Sequence, residues 1–223
     1  MSATLAERCA LGIFAKAPQP GLVKTRLIPT LGAETAAALH ARLVARTLAT
    51  AQAARAGDVE LWCSPHEQHP FFRSLFERSG CSMRRQCEGD LGERMADAAN
   101  RMLGRASFAI IVGADCPALT AHDLRIARDG LADGCDAVLG PAEDGGYYLI
   151  GLRRPLPAIF DGIDWGSERV LEQTRQALRS LGLRWRELAL RWDVDRPPDL
   201  DRLRRDPALQ ALLPAAMPAP HRA

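Results

Sequence analysis

Two lysines and an arginine lie in one short segment whose composition predicts a loop. Lys16, Lys24 and Arg26 fall within residues 15–27 (AKAPQPGLVKTRL), among prolines and Gly21. Of the 29 lysine and arginine residues in the chain, only these two are lysines. Basic side chains neutralise phosphate charge and glycine permits a close backbone approach, so the segment is typical of a polyphosphate site. The alternative is a solvated connecting loop, and the placement of both lysines favours the phosphate site.

Three aspartates follow segments that predict strands. Asp115 comes soon after the apolar run 107–112 and next but one to a proline, where a carboxylate suits a hard divalent cation. Asp193 and Asp195 alternate along a predicted strand end and therefore share one face. The alternatives are that Asp115 caps the following turn and that Asp195 caps a helix beginning near Pro197. We expect Asp115, Asp193 and Asp195 to hold Mg²⁺ or Mn²⁺.

Glycines accompany an aspartate in two further segments. Residues 89–92 (GDLG) open a predicted helix, where they suit contacts to a base or ribose, and where Asp90 equally suits an ordinary helix N-cap. In residues 144–146 (DGG) the glycines let the backbone pass close to a ligand, and Asp144 suits a hydroxyl, an amine or a metal-bound water. The expected nucleotide or substrate contacts are Ala15, Lys16, Gly21, Gly89, Asp90, Gly92, Asp144, Gly145 and Gly146.

An alternation of apolar β-type runs and helical patterns predicts the scaffold for these segments. The predicted strands are 9–15, 59–63, 82–87, 107–112, 137–139, 147–152 and 186–192. The predicted helices are 33–56, 70–78, 89–103, one capped by Thr120 with Asp123 at its third position, 168–181 capped by Ser167, and 197–204. The order implies β-α-β units, hence a single α/β domain with a mostly parallel sheet and helices on both faces. Ligands of such sheets bind beyond the carboxyl ends of the strands.

Composition excludes several classes of protein. The 223 residues are 47% hydrophobic and 25% charged, too apolar for a disordered chain, and no apolar run reaches the length of a membrane span. A net charge of +2 gives no reason to expect a nucleic-acid partner. Six cysteines without C-x-x-C spacing, and no visible signal peptide, favour the cytoplasm. We expect one domain over residues 1–206 and a loosely held Ala/Pro-rich tail over 207–223.

Six segments together resemble the GT-A, or nucleotide-diphospho-sugar transferase, superfamily. They are FAKAPQPGLVKTRL (14–27), GDLGERM (89–95), GADCPAL (113–119), GPAEDGGYYLIGL (140–152), WGSERVLEQT (165–174) and DVDRPPDL (193–200). Within it the chain is similar to the bacterial family DUF2064, also called radical-SAM/selenodomain-associated transferase 1. KTRL and DVDRPPDL more distantly resemble guanylyltransferases of the CofC and MobA type. The resemblance implies a Rossmann-like GT-A domain that binds a nucleotide and a divalent metal.

One hypothesis for the reaction is nucleotidyl transfer. A phosphate or similar oxyanion of a small acceptor would attack the α-phosphorus of a nucleoside triphosphate, and pyrophosphate would leave. Lys24 and Arg26 would hold the pyrophosphate and Lys16 the α-phosphate. Asp115 with Asp193 or Asp195 would hold the metal. Such a reaction depends mainly on positioning and charge neutralisation, which the basic loop supplies.

Two other hypotheses stay open. Glycosyl transfer from a nucleotide sugar would place Asp144 and the two glycines after it against the sugar, with Asp144 as a base. The family label and the acidic DGGYY segment favour this reaction. The third hypothesis is a nucleotide-binding protein that has lost catalysis. The carboxylates at three separate strand ends argue against it, because a protein that only binds would need fewer. The sequence does not name the base, the acceptor or the oligomeric state.

Overall fold

The computed structural model describes residues 8–214, which form a seven-stranded sheet with helices on both faces. The strands are β1 Cys9–Lys16, β2 Asp58–Ser64, β3 Ser82–Arg85, β4 Phe108–Gly113, β5 Ala137–Pro141, β6 Tyr147–Leu152 and β7 Trp185–Glu187. The helices are α1 Ile28–Leu31, α2 Ala33–Ala54, α3 Pro70–Ser79, α4 Leu91–Leu103, α5 Ala121–Ala132, α6 Val170–Ser180 and α7 Pro197–Arg205. None of the helices described is long and apolar enough to cross a membrane.

The strand order is β3-β2-β1-β4-β6-β5-β7, and the sheet is mostly parallel, as predicted. β1 pairs in parallel with β2 on one side and with β4 on the other. Only β6 runs against its neighbours, β4 and β5. The chain leaves β1 toward β2 through α2 and arrives at β4 through α4. The sheet therefore changes direction of winding between β1 and β4, where open α/β sheets bind their ligands.

Two apolar layers hold the helices against the sheet. One layer combines the alternate side chains of β1 and β4, such as Leu11 and Ile110, with α2, α3 and α5. The other combines the opposite side chains, such as Ala10 and Ile111, with α4 and α6. Both faces of the central strands are buried, which explains why β1 and β4 read as nearly continuous apolar runs.

A third apolar cluster fastens the loop after β1 to the end of the chain. Leu27 and Leu39 pack there with Val194, all of them fully buried. Leu209 and Leu212 belong to the same cluster and are also buried, so residues 207–214 are not loosely held. The expectation of a loose tail was wrong for this stretch because its leucines reach a buried surface. The remainder of that tail, 215–223, lies outside the described residues.

Several predicted boundaries differ from the structure, among them the start of α6 and the end of β7. Ser167 was expected to cap a helix, but α6 begins at Val170 without a side-chain cap, and the Ser167 hydroxyl accepts from the Arg169 N–H at 3.2 Å. The last strand is shorter than 186–192, because its regular pairing with β5 ends at Glu187. Beyond it, one isolated parallel bridge joins Ala142 to Arg191.

Candidate functional site

A cleft of about 520 Å³ opens at the carboxyl ends of β1 and β4. Its walls come from the end of β1 and the loop after it, His40 of α2, the residue after β3, the first turn of α4 and residues 113–115. This volume lies within the range of small-molecule sites. A smaller groove of about 380 Å³ between α4 and residues 155–160 is lined mainly by apolar side chains. The first cleft contains the charged groups and is the candidate site.

Lys24 lies at the floor of this cleft and faces a carboxylate. Its backbone is left-handed, with φ 49°, and its side chain is only 3% exposed. The ammonium Nζ lies 2.6 Å from Oδ1 of Asp115 and donates to the carbonyl of Val194 at 2.6 Å. Phosphate binding by Lys24 stays a prediction, since the structure gives its ammonium two protein partners.

Asp115 is the carboxylate on which these contacts converge. Its side chain is half exposed, and the imidazole Nδ1 of His40 lies 3.6 Å from the same Oδ1. Partial burial opposes ionisation, but the Lys24 charge and then His40 outweigh it and hold the pKa of Asp115 well below its usual range. The backbone carbonyl of Asp115 also accepts from Val194 N–H at 2.9 Å. Asp115 is therefore an anion fixed between two chain segments.

Asp193, two residues before the cleft residue Asp195, is an uncompensated carboxyl group that does not itself line the cleft. Its Oδ1 is buried and has no hydrogen-bond partner. Burial first, and then the negative charges of Asp115 and Asp144, raise its pKa to about 7. A buried carboxylate oxygen without a donor, in the electrostatic field of a second carboxylate, has the chemistry that a divalent cation requires.

A divalent cation at Asp115 and Asp193 would be incompletely held by protein. Within residues 8–214, no three His, Cys, Asp or Glu side chains converge closely enough to hold a metal ion. Mg²⁺ in nucleotide sites is held by one or two carboxylates together with phosphate oxygens and water. The Asp115–Asp193 pair fits that type of site, and it does not fit a metal enclosed by protein ligands.

The predicted third ligand, Asp195, is engaged elsewhere. Its carboxylate forms an ion pair with the guanidinium of Arg26, and both side chains are substantially exposed. The helix cap that Asp195 was considered for is supplied by Asp199, which accepts from the N–H groups of Asp195 and Arg196 at 2.9 and 2.7 Å. Asp195 and Arg26 both line the cleft. Lys16, exposed at the end of β1, is the third basic group of this region.

The GDLG segment is explained mostly by helix geometry. Asp90 caps α4, accepting from Glu93 N–H at 2.8 Å, while the Glu93 carboxylate accepts from Asp90 N–H at 2.8 Å. Gly89 has φ +118°, and a Cβ there would lie 2.2 Å from the Glu93 carboxylate. A Cβ on Gly92 would lie 2.7 Å from the indole of Trp165. The structure thus gives Asp90 its capping role, and contacts of these three residues to a nucleotide stay predictions.

The glycines of the DGG segment approach the protein's own backbone. Gly145 has φ +86°, and a Cβ there would lie 2.1 Å from the Glu168 carbonyl oxygen. The carbonyl of Gly145 accepts from Leu171 N–H at 2.9 Å, which fixes the start of α6. Exposed Asp144 accepts from Gly146 N–H at 2.9 Å. The backbone of Gly145 does lie close to another group, as the glycines suggested. That group is the backbone of Glu168 before α6, so these glycines are explained without a ligand.

Three cleft residues were missed by the sequence interpretation. Arg94, in the first turn of α4, has a buried Nε without a hydrogen-bond partner. Gln86 is only 7% exposed and donates to the Trp62 carbonyl at 2.8 Å. His40 donates through Nε2 to the Lys16 carbonyl at 3.0 Å, because a carbonyl only accepts. Arg94 lies within the GDLGERM segment and could have been found there, whereas His40 is indistinguishable from a core residue of α2 by pattern.

The seven-stranded sheet and its cleft define a class of protein: a single α/β domain with the fold of the nucleotide-diphospho-sugar transferases. The chain belongs to the family described as "Uncharacterized protein conserved in bacteria (DUF2064)", whose family model matches residues 47–167. No curated protein sequence matches the chain.

Solved structures similar to this chain agree with that class. One from Desulfovibrio desulfuricans G20, assigned by name to the nucleotide-diphospho-sugar transferases, is 32% identical with a TM-score of 0.81, covering 92% of this chain and 93% of that one. The 4-diphosphocytidyl-2C-methyl-D-erythritol synthase of Anaerococcus prevotii DSM 20548 is 10% identical, with a TM-score of 0.62 and coverages of 95% and 99%. A CMP:2-keto-3-deoxy-manno-octonic acid synthetase complexed with CTP is 14% identical, with a TM-score of 0.59 and coverages of 92% and 98%. The last two share the fold.

Asp193→Asn is expected to stabilise the metal-free protein at alkaline pH. Because the pKa of Asp193 is raised from 3.8 to about 7, the native state keeps a proton that the unfolded chain has released. The stability contributed by that proton is fully present below about pH 4 and is lost as the pH rises through about 7. Asparagine does not titrate. The difference in free energy of unfolding between the variant and the wild type should therefore be about 1–3 kcal/mol more favourable to the variant at pH 8 than at pH 5. Urea unfolding with a chelator at both pH values measures this, and equal changes would contradict it.

Proposed function

We propose that the protein is a metal-dependent transferase that acts on a nucleotide-activated substrate, by nucleotidyl transfer from a nucleoside triphosphate to a small phosphorylated or other oxyanion acceptor. The observation that carries the proposal is the cleft at the end of β1 and β4, which places exposed Lys16 and Arg26 on the same site as Asp115. Basic side chains such as Lys16 and Arg26 bind anionic phosphates, and a carboxylate such as Asp115 binds a divalent cation. The CTP complex and the synthase among the similar folds support this choice.

The two ends of the cleft suit different parts of a nucleotide. Asp115 follows β4, whereas Gln86 follows β3, and β2 and β1 lie between them. Three strand spacings amount to about 14 Å, enough for an extended nucleotide. Gln86 and Arg94 supply polar groups at the far end, so we assign it the base and ribose. The phosphates then lie near Lys16, Arg26 and Asp115.

Charge placement performs most of the proposed catalysis. Lys16 and Arg26 would bind phosphate oxygens and stabilise the charge that develops on the leaving pyrophosphate. Arg26 is held toward the cleft by Asp195, which positions its guanidinium before the nucleotide arrives. Asp115 and Asp193 would hold a Mg²⁺ or Mn²⁺ ion, which supplies charge neutralisation at the phosphates and activation of the acceptor oxygen.

Glycosyl transfer from a nucleotide sugar is the second candidate. Two observations favour it: the name of the Desulfovibrio desulfuricans G20 structure, and the exposed carboxylate of Asp144 close enough to Asp193 to raise its pKa. Asp144 could then face a sugar hydroxyl and accept its proton. The same cleft would hold the nucleoside diphosphate part of the donor.

Thermal unfolding with a panel of ligands separates the two reactions. The protein is heated with Mg²⁺ or Mn²⁺ and, in turn, each nucleoside triphosphate and each common nucleotide sugar. A ligand that binds the native state stabilises it in proportion to the logarithm of its concentration over Kd. We expect the largest stabilisation from a triphosphate. Stabilisation by a nucleotide sugar above every triphosphate would support glycosyl transfer instead, and no stabilisation by any ligand would contradict both.

Arg94→Met is expected to weaken nucleotide binding by about 10- to 100-fold, the loss of one charge-assisted hydrogen bond of ~1.5–3 kcal/mol. The buried Nε of Arg94 has no protein partner, so the substitution should leave thermal stability nearly unchanged. Arg101→Met is the matched control on the same helix, because Arg101 lies over the Trp62 ring and pairs with Asp97 outside the cleft. Titration calorimetry measures both variants, and equal affinities in the two would contradict the assignment.

A further inference from the structure

Lys24 occupies a position that a catalytic cation would compete for. Its side chain is 3% exposed, and its Nζ lies 2.6 Å from Oδ1 of Asp115 and 2.6 Å from the Val194 carbonyl oxygen. A buried ammonium of this kind requires an anion beside it. Asp115 therefore has its charge matched within the protein before any ligand is present.

The backbone of Lys24 shows that this placement is imposed by its surroundings. Lys24 and Arg55 are the non-glycine residues with positive φ among residues 8–214. Arg55 ends α2 in the left-handed conformation that commonly closes helices. Lys24 precedes the short 3-10 turn Thr25–Leu27 instead, and its left-handed conformation turns the side chain inward under the loop. Such strain persists where neighbouring contacts over-determine it.

Asp193 is the second carboxylate that a divalent cation would use, and unlike Asp115 it has no basic partner among residues 8–214. Its buried Oδ1 has no donor, whereas Asp115, whose charge acts on Asp193, is paired with Lys24 and lies near His40. A divalent cation shared by the two carboxylates would lie close to the Lys24 ammonium and be repelled by it. Nucleotide phosphates bring negative charge that offsets both cations. Metal binding and nucleotide binding are then coupled, and the coupling is reciprocal.

We propose that Lys24 is an internal counter-ion of Asp115 that makes the site take its divalent cation together with the nucleotide, and only weakly alone. The inference rests on the proposed function in one respect, that the cation accompanies a nucleotide. Lys24 acts as a positioning residue here, since it acts on the cation through Asp115. Its ammonium also joins Asp115 to the segment at Val194, next to Asp193 in the chain.

Binding of Mn²⁺ alone, followed by the paramagnetic resonance of the free ion, tests the proposal. The wild-type protein should bind Mn²⁺ alone no more tightly than about 1 mM, the weak end of oxygen-ligand sites. Lys24→Met removes the charge and keeps the apolar stem, and should bind Mn²⁺ alone at least about tenfold more tightly. Arg55→Met is the control: it removes the charge of the other residue with positive φ, which is exposed and does not line the cleft, and should change the affinity by less than about threefold.

The Mn²⁺ affinities of the wild-type protein and of Lys24→Met decide whether Lys24 is a counter-ion. A Lys24→Met protein that binds Mn²⁺ no better than wild type, or wild type that binds it at micromolar concentration, overturns the counter-ion role. The wild-type measurement stands even if the variant does not fold. A gain of Mn²⁺ affinity in Lys24→Met, combined with failure of both proteins to bind any nucleotide, keeps the counter-ion role and overturns the proposed function.

Discussion

Asp115→Asn is expected to abolish metal-dependent nucleotide binding and to destabilise the protein at the same time. The substitution removes the anion from a Lys24 ammonium that is almost wholly buried. Breaking a buried ion pair costs about 3–5 kcal/mol, and because Asp115 is half exposed we expect about 1–3 kcal/mol. No other carboxylate within reach of Lys24 forms an ion pair with it in the described part of the chain. The loss of the metal follows because Asp193 alone is a poor site.

Asp195→Asn is the control for this experiment. Its carboxylate also forms an ion pair with a basic residue of the first loop, but the partner Arg26 is exposed. Exposed pairs contribute less than about 1 kcal/mol, so this variant should unfold almost as the wild type does. Urea unfolding measures stability, and nucleotide titration with and without Mn²⁺ measures the site. Asp115→Asn that retains metal-dependent nucleotide affinity would remove Asp115 from the metal site.

Gly145→Ala is expected to be among the most destabilising single-methyl changes in the chain. The new Cβ would lie 2.1 Å from the carbonyl oxygen of Glu168, a backbone atom that cannot rotate away. The residue would also have to keep a φ of +86°, which L side chains rarely adopt. We expect a loss of at least about 4 kcal/mol, or a displaced start of α6. Chemical unfolding monitored by circular dichroism measures it.

Gly166→Ala separates the clash from the backbone strain. Gly166 has nearly the same φ, +87°, but a Cβ there would meet nothing within 4 Å. Its cost should be the conformational term alone, about 1–2 kcal/mol. Equal losses in the two variants would show that the contact between Gly145 and Glu168 does not matter. A much larger loss in Gly145→Ala would establish that the DGG segment positions α6 within the protein.

The sheet could be predicted from the sequence because buried strands leave a local signal. The run SFAIIV predicted a strand over 107–112, and β4 covers Phe108–Gly113. The extent of β7 could not be predicted, since the alternation in the sequence continues past Glu187 whereas the regular pairing with β5 ends there. Strand direction was also beyond the sequence: nothing local in Tyr147–Leu152 says that it runs against its neighbours.

For the cleft, the sequence predicted which segments meet but not which side chains contact one another. Four of the predicted segments meet there, because the carboxyl ends of β1 and β4, the start of α4 and the segment that contains Asp195 share one edge of the sheet. What each side chain contacts was not predictable, since Lys24 and Asp115 are far apart in the chain. The sequence indicates that Gly145 allows another group to lie close to its backbone. It does not say whether that group is a ligand or, as the structure shows, the backbone of Glu168.

Amide hydrogen exchange with Mg²⁺ and the triphosphate that stabilises the protein most tests the central claim, that the nucleotide binds across the ends of β1 and β4. Slower exchange is expected in four separate segments, residues 14–26, 86–94, 113–115 and 193–195, with little change elsewhere. Protection confined to the groove between α4 and residues 155–160, or no protection in those four segments, would contradict the claim.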